Sequence, residues 1–261
     1  MDLIAATTAA TQTFDGKLTY GGSDKDLEDE DVELFACFAD GWKRIGGART
    51  NDDGRFTLTL RDDQRLPAGM RDVYLSVAGD RSGARMLALV AAAEQRVLVS
   101  DVDGTLTESE NEYPIALATG TETDVHPHAA TALREAAKRG VVPVYISARG
   151  DRFTKDTREW LAMHGFPRGP IHLPRSIITK PGKDTVAFKT AALKKVMPFS
   201  LVAGFGNRAT DVAAYTRAGL APERIFIKLH EFAKELASDR KAQRATFFAS
   251  YDELRPVTAT L

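Results

Sequence analysis

The segment Val97-Leu98-Val99-Ser100-Asp101-Val102-Asp103-Gly104-Thr105-Leu106-Thr107 decides the fold. Its apolar start is a short buried strand, and two acids then stand at i and i+2 where the strand runs into glycine. Residues two apart on a strand point the same way, so both carboxylates can face one pocket at the strand's carboxyl end. Two like charges held together raise each other's pKa unless a cation compensates. An all-oxygen site of this kind suits magnesium. The pair also has the parts that phosphoryl transfer through an aspartyl-phosphate needs. One carboxylate attacks phosphorus; the other protonates the leaving alkoxide and later deprotonates water. We assign Asp101 the first role and Asp103 the second. Gly104 lets the chain turn sharply, and Thr105 can hydrogen-bond to hold the loop. Taken alone, the stretch also reads as a polar turn after a strand.

Three downstream features, in order, weigh against that plainer reading. Val144-Tyr145-Ile146-Ser147-Ala148-Arg149 ends a second apolar strand in a hydroxyl that can donate to a phosphate oxygen. Arg149 can clamp phosphate or pair with a surface acid. Lys189 opens the apolar-patterned stretch Thr190 to Val196 and can neutralise both an aspartate nucleophile and an incoming phosphate. Lys183 and Lys180 are its rivals in a lysine-rich segment. Gly204-Phe205-Gly206-Asn207-Arg208-Ala209-Thr210-Asp211 follows another apolar strand. Asp211 falls one helical turn after Asn207, so both can reach a metal or its waters, though Asn207 can also simply cap the helix.

Between and beyond these motifs the rhythm is strand, helix, strand. We expect helices over Ala129–Lys138, with Pro127 in the first turn and Gly140 at the end, and over Thr185–Val196 and Ala209–Ala218. Phe153, Thr157, Trp160, Leu161 and His164 share one face of another. Strands are expected at Val141–Ile146, Gly169–Leu173 and Leu201–Ala203, with Arg224–Lys228 the last. This alternation implies a parallel sheet covered on both faces, with the site at the carboxyl ends of its strands.

Upstream the pattern is different. Val32, Leu34, Ala36 and Phe38 alternate before Asp40-Gly41; Phe56, Leu58 and Leu60 follow a turn at Asn51–Gly54; Val73, Leu75 and Val77 follow Pro67 and Gly69; and Ala84–Ala92 is an apolar run. About six short strands argue a small β-sandwich of immunoglobulin or transthyretin type. The chain is therefore expected to divide into a β domain over 1–93 and an α/β domain over 94–261. The N-terminus, Met1 to Phe14, reads as a frayed end, the acidic run Asp26–Glu33 as a solvated loop, and Cys37 as a buried thiol.

The chain has 261 residues, 43% of them hydrophobic and 27% charged, with a net charge of -1. That composition supports a buried core and gives no basic stripe for nucleic acid. The single cysteine excludes an intrachain disulfide and fits a reducing compartment. No run of about 18 apolar residues is present to span a membrane. We expect a cytoplasmic protein, with peripheral membrane contact as the closest approach to a bilayer.

The four elements, in this order, resemble the haloacid dehalogenase superfamily. More narrowly, Asp101-Val102-Asp103-Gly104-Thr105-Leu106-Thr107, Ile146-Ser147-Ala148-Arg149, Trp160-Leu161 with Gly169-Pro170, and Phe205-Gly206-Asn207-Arg208-Ala209-Thr210-Asp211-Val212 with Ala214-Tyr215 look like the lipin family of phosphatidate phosphatases. The chain is also similar to the C-terminal domain of membrane-associated phosphatidylinositol transfer proteins, through Leu66-Pro67-Ala68-Gly69 and Val77-Ala78-Gly79-Asp80 as well. The resemblance implies a Rossmann-like haloacid dehalogenase fold behind the β-sandwich, magnesium, and phosphatidic acid as ligand. Asp101 would then be the nucleophile and Asp103 the acid and base. Asp101, the Asp103 backbone carbonyl and Asp211, with Asn207 nearby, would hold magnesium, and Ser147 and Lys189 would hold phosphate. The transfer-protein domains lack the full set of acids, whereas Asp101, Asp103 and Asp211 are all present here.

The segment with Glu108, Glu110, Tyr113, Pro114 and Ile115 is expected to be a small flap, with His126 and His128 as surface residues at the entry to the next helix. Three functions follow: a phosphatidate phosphatase, a phosphatase of a soluble phosphomonoester, and a phosphatidic-acid-binding module without turnover.

Overall fold

The computed structural model describes residues 1–20, 25–110, 123–175 and 182–261. The predicted flap residues Tyr113, Pro114 and Ile115, and the rival Lys180, lie outside them. The chain forms two compact units, Met1–Ala92 and Ala93–Leu261.

The first unit is built of strands, with one 3-10 turn at Asp62–Gln64: β1 (Leu3–Ala6), β2 (Thr11–Lys17), β3 (Thr19–Tyr20), β4 (Lys25–Asp26), β5 (Asp31–Phe38), β6 (Gly41–Arg49), β7 (Arg55–Arg61), β8 (Gly69–Val77) and β9 (Gly83–Ala91). Five of them make a sheet in the order β1-β9-β8-β5-β6, while β2 pairs with β7 and β3 with β4. Alternation does the sorting. Val32, Leu34 and Ala36 of β5 and Val73 and Leu75 of β8 turn inward, and Phe14 of β2 with Phe56 and Leu60 of β7 fill the same core. Cys37 has the opposite phase and is only half-buried, as the pleat requires.

Two further expectations fail in this unit. The N-terminus is not frayed: β1 runs parallel to β9, with Leu3 opposite Ala88, and the buried Asp2 carboxylate accepts the Leu87 amide at 2.7 Å. With only four residues, its alternation is too short to read without β9 beside it. The acidic run is not one loop either. Asp31 to Glu33 belongs to β5, where Glu33 meets Arg44 across the hairpin at 2.7 Å and Arg49 meets Asp31 at 3.3 Å. Cross-strand basic partners make those acids compatible with a strand.

The second unit contains β10 (Arg96–Ser100), α1 (Ala129–Ala137), β11 (Val142–Ile146), α2 (Thr154–Met163), β12 (Ile171–His172), α3 (Lys183–Val196), β13 (Ser200–Gly206), α4 (Ala209–Arg217), β14 (Ile225–Lys228), α5 (Ala237–Lys241), β15 (Thr246–Phe248) and α6 (Tyr251–Thr258). Its strands form one sheet in the order β12-β11-β10-β13-β14-β15, every neighbour parallel. From β10 the chain builds out to β12 on one side, then returns to place β13 on the other. The order therefore reverses beside β10, the place where a parallel sheet opens a crevice at its carboxyl edge.

Here too the structure corrects details. β14 is not the last strand, since β15 and α6 follow it. Pro127 stands outside α1, whose cap is His128 at φ 66°. The helix α3 starts at Lys183, so Lys189 lies in its second turn rather than at its opening.

Candidate active site

β10 delivers Asp101 to the crevice. Val97, Leu98 and Val99 are wholly buried, and the Asp101 amide donates to the Phe205 carbonyl at 2.9 Å, carrying the β10–β13 ladder one residue further. The chain then turns on itself. The amides of Leu106 and Thr107 donate to the Val102 carbonyl at 2.8 and 3.1 Å, and the Gly104 amide donates to Thr107 Oγ1 at 2.8 Å. Gly104 sits at φ +65°, a region that suits glycine. Tyr251 of α6 pins the loop from outside by donating to the Thr105 carbonyl at 2.7 Å. Thr105 does not hold the loop through its own hydroxyl, which is buried without a hydrogen-bond partner; Thr107 and Tyr251 do that instead.

Asp101 is 3% exposed, and its Oδ1 lies 3.0 Å from Lys189 Nζ. The same ammonium donates to Asp211 Oδ1 at 2.5 Å. Lys189 reaches this point because it occupies the buried stripe of α3, with Thr185, Ala192, Leu193 and Val196. Burial opposes its charge, but the carboxylates of Asp101 and Asp211 outweigh burial and push its pKa up. Burial, with Asp211, Glu110 and Asp103 close by, raises Asp101 despite the ammonium. Lys183, its rival, is exposed.

Asp103 is held by both polar groups expected to meet phosphate. Ser147 Oγ donates to its Oδ2 at 2.7 Å. Arg149 donates through Nη2 to Oδ1 at 2.6 Å and through Nε at 2.9 Å to each oxygen. The Arg149 side chain is 5% exposed, so the surface-acid reading does not hold; its partner is the second acid of the motif.

Asp211 is completely buried in the first turn of α4. Its Oδ2 accepts the amides of Asn207 and Arg208 at 3.1 Å each, capping the helix from its third position. Asn207 is 2% exposed. It donates through Nδ2 to Glu110 Oε2 at 2.9 Å, while its Oδ1 is buried without a hydrogen-bond partner.

Glu110 is a site residue that the motifs did not single out. Its side chain accepts from Arg208 Nη1 at 3.3 Å, and its amide donates to Glu231 Oε2 at 2.8 Å. Burial raises its pKa against the opposing bond from Asn207. Arg208 in turn grips Glu235 at 2.8 Å and lies over the Phe232 ring. A cavity of about 90 Å³ is lined by Asp101, Asp103, Glu110, Ala148, Gly182, Thr185, Lys189, Arg208 and Thr210.

The residues fit a small hard cation by their chemistry. The donors are all oxygen, four acids crowd three basic groups, and the Asn207 oxygen lacks a partner. Among the described residues, no three His, Cys, Asp or Glu side chains converge as a metal-binding group. His126 is buried rather than superficial; it packs edge-on to His230 and burial lowers its pKa to about 4. His128 is exposed, 3.7 Å from Asp252.

Among the described residues no helix is long and apolar enough to cross a membrane. The chain is 27% identical over 220 residues to membrane-associated phosphatidylinositol transfer protein 1 of Homo sapiens, covering 83% of this chain and 17% of that protein. It is 26% identical over 235 residues to protein retinal degeneration B of Drosophila melanogaster, covering 87% of this chain and 18% of that one. It thus spans less than a fifth of the length of either. A D,D-heptose 1.7-bisphosphate phosphatase from B. bronchiseptica superposes with a TM-score of 0.46 at 13% identity, over 63% of this chain and 97% of that one; so loose a likeness says nothing of chemistry. Residues 1–90 match the PITM 1-3 β-sandwich domain, and residues 98–228, half of the chain, match the PITM 1-3 LNS2 domain. The chain therefore belongs to the PITM 1-3 LNS2 family.

Proposed function

We propose that the second unit is a haloacid-dehalogenase-type phosphatase whose substrate is phosphatidic acid, and which releases diacylglycerol and phosphate. One observation carries the reading: a buried Lys189 joins Asp101, at the carboxyl end of the central strand, to Asp211 of the next motif. That arrangement aims a carboxylate nucleophile and sets a fixed positive charge beside a phosphate site.

In the proposed reaction Asp101 attacks phosphorus and the bond from phosphorus to the ester oxygen breaks. Asp103 gives its proton to the departing alkoxide. Asp103, now a carboxylate, takes a proton from the water that attacks the aspartyl-phosphate, and the bond from phosphorus to the Asp101 oxygen breaks. Arg149 and Ser147 hold the Asp103 carboxyl group oriented through hydrogen bonds to both of its oxygens. The first half requires Arg149 to turn from Asp103 towards the arriving phosphate, a move that also frees Ser147. Magnesium, held by Asp101, the Asp103 carbonyl, Asn207 and Asp211, would supply the positive charge that lets two anions meet.

The lipid substrate is supported by the relatives, which are membrane-associated phosphatidylinositol transfer proteins by name, and by the lipin-like motifs. A second reading, phosphatidic-acid binding without turnover, is favoured by the same Arg149–Asp103 pair, which keeps both oxygens of Asp103 engaged.

The deciding experiment is phosphate release from phosphatidic acid in mixed micelles, with and without magnesium, beside a panel of soluble phosphomonoesters. Magnesium-dependent release from phosphatidic acid supports the phosphatase reading. Release from soluble esters alone keeps the chemistry and removes the lipid. No release, with the protein still co-sedimenting with phosphatidic-acid vesicles, leaves the binding module.

A further inference from the structure

Three acids line the cavity, a fourth binds the Lys189 that lines it, and the four are not equivalent. Each oxygen of a carboxylate can accept about two hydrogen bonds. Both oxygens of Asp103 already accept two, from Arg149 and Ser147. Asp211 is fully buried and does not line the cavity, and its carboxylate is taken by Lys189 and the start of α4. Asp101 and Glu110 line the cavity and retain acceptor capacity.

A second observation points to the same place. Asn207, 2% exposed, turns its Nδ2 to Glu110 and is left with a buried Oδ1 that has no partner. Buried carbonyl oxygens are rarely left in this state, and a bound ion is one of the usual ways of satisfying them. The loop is shaped to admit both side chains: a Cβ on Gly104 would stand 2.1 Å from Asn207 Nδ2 and 3.0 Å from Glu110 Oε2. Glu231 fixes the approach of Glu110 by accepting the Glu110 amide and, at 2.7 Å, the Ser109 hydroxyl.

We propose that Glu110 is a direct ligand of a divalent cation, with Asp101 and the side-chain oxygen of Asn207, in the place that the sequence motif gives to Asp211. Two carboxylates and an amide oxygen are hard donors that suit magnesium or manganese. The proposal shares its cation with the phosphatase reading and refines that reading's ligand set.

The test is calorimetric titration of the full chain with magnesium and with manganese, without substrate, for the wild type and Glu110→Gln. Parallel titrations with tungstate, a phosphate mimic, are made in metal-free buffer. Glu110→Gln preserves size and an acceptor for Asn207, and Glu110→Asp serves as the conservative control. We expect cation affinity to fall at least tenfold in Glu110→Gln and less in Glu110→Asp, with tungstate affinity unchanged. Equal cation affinity in wild type and Glu110→Gln overturns the proposal. So does equal cation affinity with tighter tungstate binding in the variant, which would make Glu110 a stand-in for the phosphate. A wild type that binds no cation overturns it as well. Glu110-dependent cation binding in a protein that releases no phosphate would uphold this site and sink the phosphatase reading, so the two failures are distinct.

Discussion

Lys189 Nζ bridges two acids that are 110 residues apart in sequence, Asp101 at 3.0 Å and Asp211 at 2.5 Å, with side chains 4% exposed or less. The core of the second unit is thus closed over an ion triad in which one ammonium joins two buried carboxylates.

Replacing that ammonium should be felt twice. Lys189→Met removes the ammonium that pairs with buried Asp101 and should cost about 3–5 kcal/mol, read as a lower urea midpoint, together with loss of phosphate release. Lys183→Met, at an exposed position, should change neither. A Lys189→Met protein with wild-type turnover would remove Lys189 from the mechanism.

Asp101→Asn separates chemistry from stability. The amide cannot attack phosphorus, so turnover should fall to background. It also removes the cost of burying a charge and the crowding by Asp211, Glu110 and Asp103, against the loss of one partner of Lys189, so the melting temperature should hold or rise. Full activity in this variant would end the assignment of the nucleophile.

Arg149→Lys tests the clamp on Asp103. A lysine cannot reproduce a two-nitrogen grip on one carboxylate. We expect kcat to drop by about tenfold to a hundredfold and KM to rise, since the same side chain is proposed to move to the phosphate. A change in stability alone, with kcat and KM unaltered, would show that Arg149 only braces the fold.

His126 gives a pH dependence with a definite sign. Its folded pKa is lowered from 6.5 to about 4, first by burial and then by Lys228 and His230. Between those values the unfolded chain binds a proton that the native ring refuses, so stability declines as pH falls from about 6.5 to about 4 and the loss stops below that. After solvent screening the effect should be on the order of 1–2 kcal/mol. The difference in urea midpoint between wild type and His126→Asn, followed across that window, isolates it; a constant difference would contradict the assignment.

Much of the second unit was legible because its signals are local. Apolar strand runs, the glycine turn after Asp103 and the acid one turn into α4 need no tertiary knowledge. What was missed lies where partners are distant in sequence. Lys189 betrays itself as a lysine on the buried stripe Thr185, Lys189, Ala192, Val196, but reading it as a helix start hid that stripe. Arg149 could be seen as a clamp but not as one closed on Asp103, because nothing in its neighbourhood names an acid 46 residues upstream. Glu110 looked like a flap residue, since only the fold lays it over Gly104. In the first unit, Leu3 and Ala5 alternate too briefly to read as a strand without β9 beside them.

That same β1 has a consequence for how the chain comes to be folded. Leu3 finds Ala88 as its neighbour only after the rest of the unit has been laid down. Contacts this far apart close slowly because loop entropy must be overcome before they stabilise anything. During synthesis the first strand must therefore wait for the last. Until it docks, β9 presents an unpaired flank that other chains can join. A variant lacking residues 1–6 should accordingly fail by sticking to its own kind before it fails by melting.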